Sequence, residues 1–129
     1  MVLVDSSVWV EVFRKPAGVQ LETFVAMDEV VTCLPVLQEV LQGFRDPQAF
    51  ALARDAMLAL PTVESPLRAE VTLHAVDLYR SARRAGLTVR SSADCLIAAC
   101  ALRHGLTVLH RDRDYDKLAR VSNLEARAI

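Results

Sequence analysis

Short unbroken apolar runs alternate along the chain with longer stretches in which apolar residues recur every three or four positions. That alternation is the pattern of strands and helices in a parallel sheet covered on both faces. The first run, Met1-Val2-Leu3-Val4, meets Asp5, so residues 2–5 read as a strand that delivers a carboxylate to its tip. Residues 7–13 follow as a short helix, its far end marked by Pro16 and Gly18. A second helix is expected near 18–28. It leads to the apolar stretch Val30-Val31-Thr32-Cys33, after which Pro35 fits the first turn of another helix. In that helix Val36, Leu37, Val40, Leu41 and Phe44 form the apolar stripe. Glu39 lies at its edge, about 60° from Val36 on the helical wheel.

Residues 48–59 also read as helical, and Pro61-Thr62-Val63 enters or forms a short edge strand. From 66 to 85, Leu67, Val71, Ala75, Leu78 and Ala82 keep a helical spacing that ends at Gly86. Leu87-Thr88-Val89 is a strand candidate, and Ser91 to His104 is a strongly apolar helix stopped by Gly105. The next strand, Leu106 to Leu109, runs into His110-Arg111-Asp112-Arg113-Asp114 ahead of a last helix. Residues 1–129 therefore read as one α/β domain, without linker, repeat or low-complexity segment.

Composition agrees with that reading. At 129 residues the chain is long enough for one domain and too short for two of ordinary size. With 53% hydrophobic residues it can bury a sizeable core and keep apolar surface for a partner. A net charge of -1 excludes a global basic field, so any nucleic-acid contact has to come from a local rim of arginines. No apolar run approaches membrane-span length and no leader is evident, which points to the cytosol. Cys33, Cys95 and Cys100 lie in apolar surroundings without a CxxC or Cys/His pattern and read as core thiols. Neither a GxGxxG after Val4 nor a P-loop is present, which disfavours a nucleotide enzyme.

The acids carry the chemistry. In open α/β sheets ligands collect beyond the carboxyl ends of the strands, and this rule sets Asp5 and Asp112 on one rim. Asp94, in the first turn of its helix, and Glu39, in the second turn after Pro35, can reach the same place. Carboxylates that converge repel unless a cation joins them, and Mg2+ or Mn2+ accepts such oxygen ligands. The implied reaction is metal-assisted hydrolysis of a phosphodiester. Each acid alone has a plainer explanation. Asp5 can cap the helix after it, Asp94 can answer Ser91 in a capping box, Asp112 and Asp114 can be turn or cap residues, and Glu39 can be ordinary helix surface. Only their joint arrangement favours a site.

Four segments in order also resemble a known family: Val4-Asp5-Ser6-Ser7-Val8-Trp9, Glu39-Val40-Leu41-Gln42-Gly43, Ala93-Asp94-Cys95-Leu96-Ile97-Ala98-Ala99 and Asp112-Arg113-Asp114-Tyr115. Over essentially the whole chain the pattern is similar to a PIN domain of the VapC toxin ribonuclease branch. The resemblance implies a three-layer sandwich around a mainly parallel sheet of four or five short strands. It implies a Mg2+-dependent endoribonuclease, with Mn2+ able to substitute, that cuts structured RNA and is neutralised by a VapB-type antitoxin, with a homodimer in the complex. The catalytic and metal-binding acids carried over are Asp5, Glu39, Asp94 and Asp112, with Asp114 as an auxiliary metal ligand or loop organiser. Ser6 and Ser7 match the small hydroxyl residues after the first acid, and Ser6, Arg111 and Arg113 are the candidates for substrate contact. In one departure His110 stands where the family commonly has Thr. Its imidazole can bond the loop, contact phosphate when protonated, or stand outside the cluster.

Trp9, Phe13 and Phe24 pack on the sheet or contribute to a dimer or antitoxin surface, and Tyr115 anchors the last acidic loop. Two other functions remain in view. One is a DNA-directed or flap-type metal-dependent nuclease of the same domain class, and the other a noncatalytic protein-binding module whose acids cap helices.

Overall fold

A computed structural model describes residues 1–129. The central sheet has five strands in the order β3-β2-β1-β4-β5, and every pairing is parallel. The strands are β1 (Val2–Val4), β2 (Val30–Cys33), β3 (Thr62–Val63), β4 (Thr107–His110) and β5 (Glu125–Ala128). Around them lie α1 (Ser6–Phe13), α2 (Leu34–Leu41), α3 (Pro47–Leu58), α4 (Ala69–Arg84), α5 (Ser92–His104) and α6 (Arg113–Arg120). All three residues of β1 are buried, so both faces of the middle strand are covered and its unbroken Val-Leu-Val run follows directly. The result is a three-layer α/β fold.

β1 pairs with β2 on one side and with β4 on the other, so the chain winds out from it through β2 and β3 in one direction and through β4 and β5 in the other. The crevice at such a switch point opens at the strands' carboxyl ends. Asp5 follows β1 immediately, and its N–H donates to Leu109 O at 2.9 Å, joining the two strand ends.

Three expectations from the sequence are corrected. Residues 18–28 do not form a helix: two single 3-10 turns, Leu21–Thr23 and Met27–Glu29, replace it. Only Val19, Leu21 and Val25 are buried there, at spacings of two and four, which no single helical face can satisfy. Leu87-Thr88-Val89 is no strand. The Leu87 N–H closes the end of α4 on Ala82 O, and the segment crosses directly to α5. The fifth strand is instead β5, whose Glu-Ala-Arg-Ala sequence is largely exposed at the sheet edge and carries no apolar run. Smaller shifts bring the helix expected at 66–85 to Ala69–Arg84, leaving Leu67 exposed ahead of it.

Val71, Ala75, Leu78 and Ala82 are buried as their spacing requires, and Gly105 ends α5 at φ 63°. The three cysteines are free and buried. Burial pushes the Cys95 thiol up to about 11, which leaves it inert near neutral pH. His104 ends α5 as expected, its Nε2 2.9 Å from Glu64 Oε1.

Candidate active site

The rim is assembled from helix beginnings. Asp5 is the N-cap of α1: its Oδ2 accepts the Ser7 N–H at 3.0 Å and the Ser7 hydroxyl at 2.5 Å. The capping explanation for Asp5 therefore holds, and it is part of what orients the carboxylate toward the crevice. Ser7 also accepts the Arg111 N–H at 3.0 Å, so one hydroxyl links the first acid to the loop after β4. Ser6 turns the other way and donates to Glu39 Oε1 at 3.0 Å. The two serines divide the work: Ser7 holds Asp5 and Ser6 holds Glu39.

Asp94 is not a cap. Ser91 makes no side-chain cap bond at the start of α5, and the Asp94 side chain points into the interior with Oδ1 3.5 Å from the Tyr115 hydroxyl. Its Oδ2 is buried without any hydrogen-bond partner. Burial, then the neighbouring Asp5, Asp112, Glu39 and Asp114, push its carboxyl up to about 8. Glu39 is also raised, chiefly by burial, against the pull of the Ser6 hydroxyl.

Ligand oxygens from Asp5, Glu39 and Asp94 lie within 4.8 Å of one another, and those of Asp94, Asp112 and Asp114 form a second such group. Asp94 belongs to both. A hard divalent cation fits this donor set, because the oxygens converge and the bare Asp94 Oδ2 needs a positive partner.

The loop after β4 supplies the remaining side chains. Asp112 is the N-cap of α6 and accepts the Asp114 N–H at 3.0 Å. Asp114 is buried and already engaged: Oδ2 accepts the Arg90 N–H at 3.0 Å and Oδ1 meets Lys117 Nζ at 3.1 Å. Those contacts secure the 87–91 crossing to α6 and so fix where α5 begins. Buried His110 accepts the Asp112 N–H on Nδ1 at 3.2 Å and packs 5.1 Å from the Tyr115 ring, so it braces the acidic loop. Arg111 and Arg113 flank Asp112 and are exposed.

Two grooves meet at Glu39. One, of about 610 Å³, runs between α2, α4 and α5 past Gln38, Gln42, Tyr79 and Leu96. The other, of about 250 Å³, lies between α1 and α2 and is lined by Val10, Phe13 and Phe44. Trp9 is buried and stacks on Phe13 at 5.7 Å, so it serves packing, whereas Phe24 is 41% exposed.

A PIN domain profile matches residues 2–121. Ribonuclease VapC11 of Mycobacterium tuberculosis is 39% identical over 131 aligned residues, spanning 98% of this chain and 97% of that protein. The chain belongs to the PIN domain family, among the VapC-type ribonucleases. VapC ribonuclease Mb1587 of Mycobacterium bovis matches at the same identity and coverage. Among solved structures, DNA-bound VapBC from Salmonella typhimurium aligns with a TM-score of 0.77 at 15% identity, covering 98% of this chain and 96% of that one. VapBC2 from Rickettsia felis, bound to a promoter DNA fragment, aligns at 0.75 and 18% identity over 100% and 99%. These two likenesses speak for the fold alone.

Metal-dependent nuclease activity is typical of the PIN family, and the acidic crevice of this PIN domain has the donors that activity requires. Sequence reasoning missed the hydroxyl of Tyr115, which donates to Asp5 Oδ1 at 2.6 Å from a fully buried ring. Burial, with Asp5 and Asp94 next, holds the phenol well above its ordinary range, so it remains a donor. The available signal was a hydroxyl-bearing aromatic one residue after the Asp-x-Asp of the last loop.

Proposed function

We propose that this VapC-type ribonuclease is the toxin of a toxin–antitoxin pair, a Mg2+-dependent endoribonuclease that hydrolyses phosphodiester bonds in structured RNA. Mn2+ substitutes for Mg2+, and a VapB-type antitoxin holds the enzyme inactive in the cytoplasm. The observation that carries the reading is the convergence of Asp5, Glu39 and Asp94 within 4.8 Å, with Asp94 Oδ2 buried and bare.

When bound, the cation lowers the pKa of a water and offsets charge developing on the phosphoryl oxygens. Asp5, Glu39, Asp94 and Asp112 would hold it, with Asp114 as auxiliary ligand and loop organiser. Asp5 is fixed by Ser7 and Tyr115, and Asp94 by its seat in the first turn of α5. Glu39 stands at the mouth where the two grooves meet, in reach of an incoming strand. The exposed guanidinium groups of Arg111 and Arg113 contact RNA phosphates, while Ser6, whose one hydroxyl proton goes to Glu39, meets the RNA by accepting from a sugar hydroxyl. With the total charge at -1, this rim alone supplies the attraction.

The antitoxin lays an apolar segment along the α1–α2 groove and points a basic side chain at Glu39 and Asp5. Val10 in the groove and the exposed Phe24 supply apolar surface for antitoxin and homodimer contacts.

The test is incubation of purified protein with total RNA in Mg2+, Mn2+ or EDTA, followed by mapping of cleaved ends. Cleavage at discrete positions with metal, lost in EDTA and in Asp94→Asn, is the expected result. Undiminished cleavage in EDTA, or none with either metal, overturns the reading.

A further inference from the structure

The Asp5 carboxylate has about four lone-pair positions, two on each oxygen. Oδ2 uses both, accepting the Ser7 N–H at 3.0 Å and the Ser7 hydroxyl at 2.5 Å. Oδ1 uses one, accepting the Tyr115 hydroxyl at 2.6 Å. The position left for a cation is therefore on Oδ1, the same oxygen that the phenol grips. Its direction is set by where Tyr115 places its proton.

The same hydroxyl lies 3.5 Å from Asp94 Oδ1, while Asp94 Oδ2 has no partner. One O–H thus stands behind both central carboxylates. It can donate to only one at a time, and the shorter contact assigns it to Asp5. With the phenol behind them, the unfilled positions of Asp5 and Asp94 are left to the crevice, where the ligand oxygens of the first acidic group converge.

Tyr115 is held firmly enough for this. It is the third residue of α6, the helix capped by Asp112, and its own N–H bonds Asp112 O at 3.2 Å. The ring is fully buried and packs on His110. Phe at this position would fill the same space and keep every apolar contact. The hydroxyl adds a polar atom to the core, and its hydrogen-bond partners in the fold are the two carboxylates.

We propose that Tyr115 is a positioning residue, whose hydroxyl orients Asp5 Oδ1 and seats it against Asp94 so that the pair binds a divalent cation. This rests on the metal-site reading above. The phenol does not touch the cation; it acts through Asp5. Outer partners of metal ligands commonly change affinity by about 10–100-fold when removed, and charge-assisted bonds such as this one are the stronger kind.

The experiment is Mn2+ titration by calorimetry on the RNA-free protein, with thermal melting in EDTA beside it. Three proteins are compared: the parent, Tyr115→Phe, and Leu118→Val as a core change on the same helix that reaches no carboxylate. Tyr115→Phe is expected to fold and to bind Mn2+ about 10–100-fold more weakly. Leu118→Val is expected to lower the melting temperature with unchanged Mn2+ affinity. Parent-like affinity in Tyr115→Phe overturns the positioning role, and equal affinity losses in both variants reduce it to general packing. Failure of the parent itself to bind Mn2+ overturns the metal site on which the role depends.

Discussion

Arg90 donates its backbone N–H to Asp114 Oδ2 at 3.0 Å, across a sequence separation of 24 residues. The bond ties the crossing before α5 to the first turn of α6, and Lys117 completes the tie by bonding both Thr88 O at 2.7 Å and Asp114 Oδ1 at 3.1 Å. The placement of Asp94 depends on this small polar junction. Asp114→Ala is expected to destabilise the fold by about 1–3 kcal/mol, because it strips the Arg90 N–H of its partner and leaves the Lys117 ammonium with Thr88 O alone. Hydrogen exchange at Arg90 should accelerate. An unchanged exchange rate there would show that Asp114 serves the cation and not the junction.

The raised pKa of Asp94 makes cation binding pH-dependent. Below about pH 8 its carboxyl carries a proton in the cation-free fold, and a ligand must displace it. Apparent Mn2+ affinity should fall by up to about tenfold per pH unit below that value, as long as one proton is displaced. Calorimetry in buffers of different ionisation enthalpy measures the proton released. Stability of the cation-free fold runs the opposite way. The folded pKa lies above the ordinary 3.8, so this group's contribution is fully present below that value and is lost as pH rises to about 8. Urea titrations in EDTA, flat across this window, would count against the assignment.

Arg111 and Arg113 bracket Asp112, and both are exposed. Converting both to Gln should weaken RNA association and lower the magnitude of its log-log salt slope by about 1–2, with Mn2+ affinity unchanged. Filter binding on the Asp94→Asn background isolates association from cleavage. An identical slope in parent and double variant would remove these arginines from the phosphate path.

Gly105 offers a contrast. It ends α5 at φ 63°, and no atom beyond its own chain neighbours lies within 4 Å of where its Cβ would stand, so Gly105→Ala meets backbone strain alone. A cost of about 1–2 kcal/mol in urea unfolding is expected. The residue lies roughly 16 Å of helix from Asp94, so Mn2+ affinity should not move. A coupled loss would mean that strain at the end of α5 reaches its beginning.

Asp5, Asp112 and Glu39 were legible before the fold because they stand past the end of an apolar run or at the edge of an apolar stripe, whereas Asp94 was legible as the single acid within an apolar helix. Periodicity found α4 and α5 for the same reason. It failed at β5, whose alternating charged and alanine residues are held by pairing with β4 and not by burial. It failed in the other direction at Leu87-Thr88-Val89, where a strand-like composition serves a crossing pinned by Lys117 and Asp114. The roles of Ser7 and Tyr115 depend on which way a hydroxyl points, and apolar periodicity does not encode that.

β4 lies beside β1 although more than a hundred residues separate them in the chain. Insertion of such a late strand next to the first one is a high contact-order step, slow relative to the local helices. Until it occurs Asp5 lacks the Leu109 carbonyl and the Tyr115 hydroxyl, and Asp112 has no place on the rim. With chain growth at about 5–20 residues per second, β1 emerges roughly 5–20 seconds before β4. Hydrolytic competence and closure of the sheet are thus a single late event in the life of each molecule.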